Sequence, residues 1–169
     1  MENWLGQVQI KVDEKGRFSL PASAVDLFPT DELVLSVSVF EKKPFLELLT
    51  LEEWEEKLST LENFSERDPK LKAYKRFLLS GSSKINIDKQ NRLTIPGFQR
   101  DLIKIVKEAV IVNLENKIEL WSADLWAEVS NNFINDFENL EDWANGFEEL
   151  GENKQTTELR RENELKSVA

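Results

Sequence analysis

Twice in this chain an aspartate stands four residues before an arginine and eight before a proline. Asp13-Glu14-Lys15-Gly16-Arg17 leads through Phe18-Ser19-Leu20 to Pro21, and Asp88-Lys89-Gln90-Asn91-Arg92 leads through Leu93-Thr94-Ile95 to Pro96, 75 residues further on. An Asp and an Arg across a tight turn support two kinds of chemistry. They can form an ion pair within the turn, which contributes little when exposed. Alternatively, the carboxylate can orient the guanidinium so that it grips a phosphate or reads a guanine edge. Lys15 and Lys89 would then add phosphate contacts, while Lys11, Lys84 and Lys104 are nearby cations whose facing the sequence leaves open. Repetition favours the second chemistry, because a twofold-related pair of basic turns suits a duplex.

Composition removes most competing chemistry. The 169-residue chain has no cysteine and no histidine. Disulfides, thiolate catalysis and cysteine-ligated metals are thereby excluded. The commonest general base, zinc ligand and pH switch is missing as well. No spacing among the remaining carboxylates, Lys, Arg, Ser and Thr suggests an active site, so no enzyme, cofactor or metal is expected. The formal charge of −10 is unevenly spread: residues 1–128 carry −4 and residues 129–169 carry −6. The acidic excess therefore belongs mainly to the tail, which leaves room for a local basic patch on the repeated body. No charged-then-apolar leader is read, and no apolar run approaches the roughly 20 residues of a membrane helix. A soluble, cytoplasmic protein is expected.

The turns must be held by strands. Gln7 to Val12 alternates polar and apolar, as a half-buried strand does, and Phe18-Ser19-Leu20 resumes the alternation until Pro21. Gly16 supplies the positive φ that such a hairpin turn requires, and Asn91 is the next best residue for it. Ala22 to Phe28 predicts a short helix, and Leu33–Phe40 with Phe45–Leu49 predicts a strand pair around Glu41-Lys42-Lys43-Pro44. Thr50-Leu51-Glu52-Glu53 is a capping box opening a helix to about Phe64, with Leu51, Trp54, Leu58 and Leu61 as a buried stripe. Asp68-Pro69 opens another helix that Gly81 closes.

The second copy then repeats the first: strand, turn and strand over Lys84–Ile95, a short helix, strands Ala109–Asn113 and Lys117–Trp121, and a helix from Ser122. Leu46-Glu47-Leu48-Leu49-Thr50 with Trp54 recurs as Ile118-Glu119-Leu120-Trp121-Ser122 with Trp126, at an offset of 72. Two matched halves mean one pseudo-symmetric domain. Trp54 and Trp126 read as core or subunit-interface anchors. The expected organisation is a first repeat with its linking helix over 1–80, a second repeat over 81–131, and an acidic helix and tail over 132–169. Phe137, Leu140, Trp143 or Ala144, Phe147 and Leu150 give that tail an amphipathic stripe.

These residues carry a family resemblance. Asp13 to Pro21 and Asp88 to Pro96 resemble the double signature of the MraZ family, bacterial transcriptional regulators of the SpoVT/AbrB swapped-hairpin class. Tyr74-Lys75-Arg76-Phe77-Leu78-Leu79-Ser80-Gly81 and Ile118 to Ser122 are similar to the family's linking stretch and closing junction. The resemblance covers about residues 4 to 130. It implies an α+β fold: a pseudo-twofold double swapped-hairpin, AbrB-like β-barrel with flanking helices. It also implies a ring-forming homo-oligomer that binds G-rich direct repeats of double-stranded DNA in its own promoter. The chain would thereby repress the division and cell-wall gene cluster and be nucleoid-associated. By that resemblance Lys15, Arg17, Lys89 and Arg92 face DNA, Asp13 and Asp88 orient the arginines, and Gly16 and Asn91 shape the turns. Three departures stand out. Asn91 and Asn113 occupy positions where the family usually or often has Gly, and Ala22-Ser23-Ala24-Val25-Asp26 lacks the family's Lys and Arg. The last should weaken the phosphate-driven part of affinity. A competing expectation is an antitoxin-type interaction module whose acidic tail binds a partner protein.

Overall fold

The computed structural model describes residues 6–62, 68–114 and 117–136. Residues 1–127 make up one compact unit, and a second begins at Glu128. The expected tail stripe from Phe137 to Leu150 lies outside the described residues.

The elements run β1 (Gly6–Lys11), β2 (Arg17–Ser19), α1 (Ala22–Val25), β3 (Glu32–Phe40), β4 (Lys43–Thr50), α2 (Leu51–Glu62) and α3 (Pro69–Ser80). Then follow β5 (Ser83–Asn86), β6 (Arg92–Thr94), α4 (Gly97–Leu102), β7 (Glu108–Asn113), β8 (Ile118–Ser122) and α5 (Ala123–Asp136). The fold is α+β, built on an antiparallel six-stranded sheet in the order β1-β7-β8-β4-β3-β5 and a two-stranded ribbon, β2-β6.

The order interleaves the halves. β1 pairs with β7 of the second copy, and β5 pairs with β3 of the first. Each copy's first strand is thus placed beside the other copy's third. Register makes the symmetry explicit: Phe18 faces Leu93 in the ribbon, and Glu47 faces Glu119 between β4 and β8. Both are pairs of equivalent residues, so the pseudo-twofold axis passes through both ladders.

The core follows from strand alternation. Ile10, Val12, Phe18 and Leu20 point inward, as do their equivalents Ile85, Ile87, Leu93 and Ile95. β3 and β4 are buried on both faces over most of their length, because helices cover the side away from this core. Their hairpin turns at Glu41 and Lys42, with φ of 48° and 65°, the left-handed pair that a two-residue turn demands.

Local signals place the helices. In the capping box, the Thr50 N–H donates to Glu53 Oε2 at 2.7 Å and the Glu53 N–H to Thr50 Oγ1 at 3.2 Å. Asp68 caps α3 by accepting from the Lys70 N–H at 2.8 Å, with Pro69 in the first turn. At Gly81 a Cβ would sit 2.2 Å from Val37 Cγ1, so only glycine lets the end of α3 approach β3.

Four expectations change. The helix expected over 22–28 ends at Val25, because the Leu27 and Phe28 N–H groups bond to carbonyls only three residues back, tightening the chain into a turn. The α2 stripe of Leu51, Trp54, Leu58 and Leu61 is half-buried, since nothing described covers its outer edge. β1 and β2 form no ladder: after the Asp13 N–H to Arg17 O bond, β1 continues beside β7 while β2 joins β6. Finally, the sheet is not closed. β1 and β5 are its edges, touching β2 and β6 without a continuous ladder.

Candidate nucleic-acid interface

Each turn is built by its aspartate. Asp13 Oδ1 accepts the N–H groups of Lys15 (2.9 Å) and Arg17 (2.8 Å), and Asp88 Oδ1 accepts those of Gln90 (2.8 Å) and Arg92 (2.9 Å). Such bonding is why Asp favours turns. The second carboxylate oxygen holds the guanidinium: Arg17 Nε donates to Asp13 Oδ2 at 2.7 Å, and Arg92 Nε to Asp88 Oδ2 at 2.8 Å. Backbone donation from Arg17, then its side-chain bond and charge, holds the Asp13 carboxyl below the usual carboxylate range despite some desolvation. At Asp88 the side-chain bond from Arg92 leads, followed by its backbone N–H, with the same result. Both aspartates are therefore ionised at neutral pH, and each arginine is fixed by its inner edge.

The ribbon sets where the guanidinium groups go. Arg17 pairs with Thr94, Phe18 with Leu93 and Ser19 with Arg92. In an antiparallel pair, directly opposed residues share a face, and faces alternate along the strand. Phe18 and Leu93 are buried in the core, so Arg17, Ser19, Arg92 and Thr94 share the outer face. Arg17 and Arg92 side chains remain 42% and 38% exposed. Both line one shallow depression of about 260 Å³ with Lys11, Asp13 and Ser19.

The turns themselves carry positive φ, 84° at Gly16 and 57° at Asn91. They are stitched across the axis: the Ile95 N–H donates to Gly16 O at 2.9 Å, and the Leu20 N–H to Asn91 O at 2.8 Å. Lys15 and Lys89 are exposed, at different places in their turns; Lys15 is equivalent to Gln90, and Lys89 to Glu14. Of the other cations, Lys11 lines the depression, Lys84 lies 4.0 Å from Glu32, and Lys104 is exposed just beyond α4. Trp54 is half-buried. So is Trp126, which bonds Gln7 and lies 5.7 Å from Trp121.

Sequence reasoning missed Ser19, Thr94 and Arg100. Strand alternation could have placed Ser19 beside Arg17, but the β2–β6 pairing that adds Thr94 is a tertiary fact. Arg100 comes from α4, and its Nη1 donates to Glu14 O at 3.2 Å. Among the described residues, no three His, Cys, Asp or Glu side chains could hold a metal ion, and no helix is long and apolar enough to cross a membrane.

Comparison with known proteins shows the family. Residues 78–149 match the family model described as "MraZ protein, putative antitoxin-like". A protein named Transcriptional regulator MraZ from Thermoanaerobacter sp. (strain X514) is 34% identical over 139 residues, covering 80% of this chain and 92% of that protein. The chain belongs to the MraZ family. Another MraZ regulator, from Caldanaerobacter subterraneus subsp. tengcongensis, is 31% identical over 146 residues, 85% of this chain and 97% of its own. A third, from Alkaliphilus metalliredigens (strain QYMF), is 31% identical over 153 residues, 88% and 99% of the two chains. These three relatives are thus matched along nearly their whole length.

Proposed function

We propose that this MraZ-family chain is a non-enzymatic, sequence-specific DNA-binding transcriptional regulator that presents the outer face of its β2–β6 ribbon to the duplex. One observation carries the reading: two oriented, half-exposed arginines share one face of a two-stranded ribbon. The major groove admits such a ribbon, and arginine is the commonest reader of guanine there. Arg17 and Arg92 contact base edges or phosphates, Lys15 and Lys89 contact phosphates, and Asp13 and Asp88 aim the arginines. The exchange of β1 and β5 between the copies supports assignment to the swapped-hairpin class, with repeats over 1–80 and 81–131 and a tail over 132–169.

In this reading the chain binds G-rich direct repeats in its own promoter as a ring oligomer, in the cytoplasm and on the nucleoid. It represses the division and cell-wall gene cluster by blocking polymerase. Oligomerisation turns weak single contacts into avidity on repeated sites. A second reading, an antitoxin-type module, has the −6 charge of residues 129–169 in its favour.

Fluorescence anisotropy tests both, using the duplex upstream of the protein's own gene against a scrambled duplex over a salt series. Preference for the native duplex, lost in the Arg17→Ala/Arg92→Ala variant and kept when residues 132–169 are removed, is expected. Equal binding by the double variant would sink the residue assignment.

A further inference from the structure

The two turns are equivalent in their local bonds but not in what stands behind them. In each, the third turn residue's N–H bonds to the aspartate carbonyl at 2.9 Å, and the arginine N–H bonds to the aspartate side chain. In each, the carbonyl of the positive-φ residue accepts one bond from across the axis.

Only the first turn is also met by a side chain from α4. Arg100 Nη1 donates to Glu14 O at 3.2 Å. Its Nε and Cδ lie so close over Gly16 that a Cβ there would stand 2.9 and 3.2 Å from them, and 2.4 Å from Ile95 O. Arg100 Nε is buried with no acceptor among the described residues, so the guanidinium is turned toward the turn at some cost in solvation. The Arg100 backbone is anchored too: its N–H donates to Pro96 O at 3.1 Å, and its carbonyl accepts from the Ile105 N–H at 2.9 Å.

The equivalent position behind the second turn, 75 residues earlier, is Val25. Val25 packs on the core and has no donor to offer a turn carbonyl. The turn residues differ as well, and at Gly16 both Ile95 O and Arg100 stand in the way of a side chain. Gly16 is buried beneath Arg100, where a side chain has no room, whereas Asn91 is exposed and keeps its side chain.

We infer that Arg100 is a positioning residue that braces the Asp13–Arg17 turn, so that the two DNA-facing turns are unequal: both are held by their aspartates, and the first is held more rigidly than the second. The consequence for DNA rests on the proposed function; the brace itself does not. An arginine carried on a braced turn backbone loses less freedom on binding, so Arg17 contributes more affinity than Arg92.

The test begins without DNA. Amide hydrogen exchange should show Gly16 and Arg17 better protected than Asn91 and Arg92. In Arg100→Met, which keeps an apolar stem but no donor, exchange at Gly16 and Arg17 should quicken by roughly three- to tenfold, the range one net hydrogen bond supplies. Asn91 and Arg92 should be unchanged. Arg100→Lys, tested alongside, covers the case in which Arg100→Met does not fold. A lysine keeps the charge but loses the planar fork, and should leave turn 1 intermediate in protection. Equal protection of the two turns in the native protein, or no selective change in either variant, overturns the brace. A double-mutant cycle on promoter DNA adds the second arm: the Arg100 variant should be non-additive with Arg17→Ala and additive with Arg92→Ala. Additivity with both would make Arg100 a direct phosphate contact and overturn positioning. Absence of any DNA binding would refute the proposed function while leaving the exchange result to decide the brace.

Discussion

An aspartate that spends one oxygen on two backbone N–H groups and the other on an arginine Nε does two jobs with one side chain. Asp13 and Asp88 both do this. The two jobs separate in Asp13→Asn, whose side-chain carbonyl still accepts the turn bonds but no longer attracts the guanidinium. Thermal unfolding of this variant at neutral pH should stay close to the native curve, while anisotropy shows weaker and less selective DNA binding. Arg17→Ala should cost about 1–3 kcal/mol of specific binding and leave folding nearly unchanged. The lysines act as point charges instead. Lys15→Ala/Lys89→Ala should weaken native and scrambled duplexes alike and lower the slope of log affinity against log salt by about 2, one unit for each phosphate contact.

At the scale of elements, the turns hold the ribbon and the ribbon holds the arginines. Gly16 sits at φ 84° under Ile95 O, where any Cβ collides with backbone. Gly16→Ala should therefore destabilise the fold by more than about 1 kcal/mol in urea unfolding, because both the φ and the space are wrong for L-alanine. Asn91→Gly should change stability by less than about 1 kcal/mol, since Asn already tolerates the left-handed region and glycine only adds unfolded-state freedom. Comparable losses in both variants would contradict the inequality of the turns. Gly-to-Asn is thus a mild exchange at the second turn, and the structure explains why the same exchange is harmful at the first.

At the scale of the molecule, the pseudo-twofold axis that pairs the arginines also pairs two carboxylates. Glu47 is buried between β3 and β8, with Lys57 bonded to one oxygen and Lys117 3.6 Å from the other. Glu119, opposite it, accepts the Trp121 Nε1–H at 2.8 Å, and Trp121 stacks on Phe45 at 4.3 Å. Desolvation, and the charge of Glu47, raise the Glu119 carboxyl above its ordinary value near 4.5, against the bond from Trp121 and the charge of Lys117. A carboxyl raised on folding stabilises the fold most when protonated, below its unfolded value. That contribution is lost as pH rises through the raised one. Glu119→Gln, a neutral mimic that still accepts from Trp121, should therefore raise the unfolding temperature at pH 7, with the gain shrinking toward pH 4.5. A gain that grew on acidification would contradict the burial of this charge.

What the sequence determined alone is whatever depends on near neighbours along the chain. The Asp-to-Arg turns, the positive φ at Gly16 and Asn91, the Thr50–Glu53 capping box, the Asp68-Pro69 helix start and the β3–β4 hairpin are all set within about ten residues, by side chains that bond nearby backbone or by the backbone conformation a turn demands. The internal repeat likewise foretold the pseudo-symmetric core. Tertiary structure decided which strands pair. Local alternation makes a strand half-buried but names no partner, so the exchange of β1 and β5, and the open sheet, came from packing two halves around one core. The shared outer face of Arg17 and Arg92 was decided in the same way, by a ladder between residues 75 positions apart. So was Arg100 over Gly16, a contact across 84 positions that no local rule reaches.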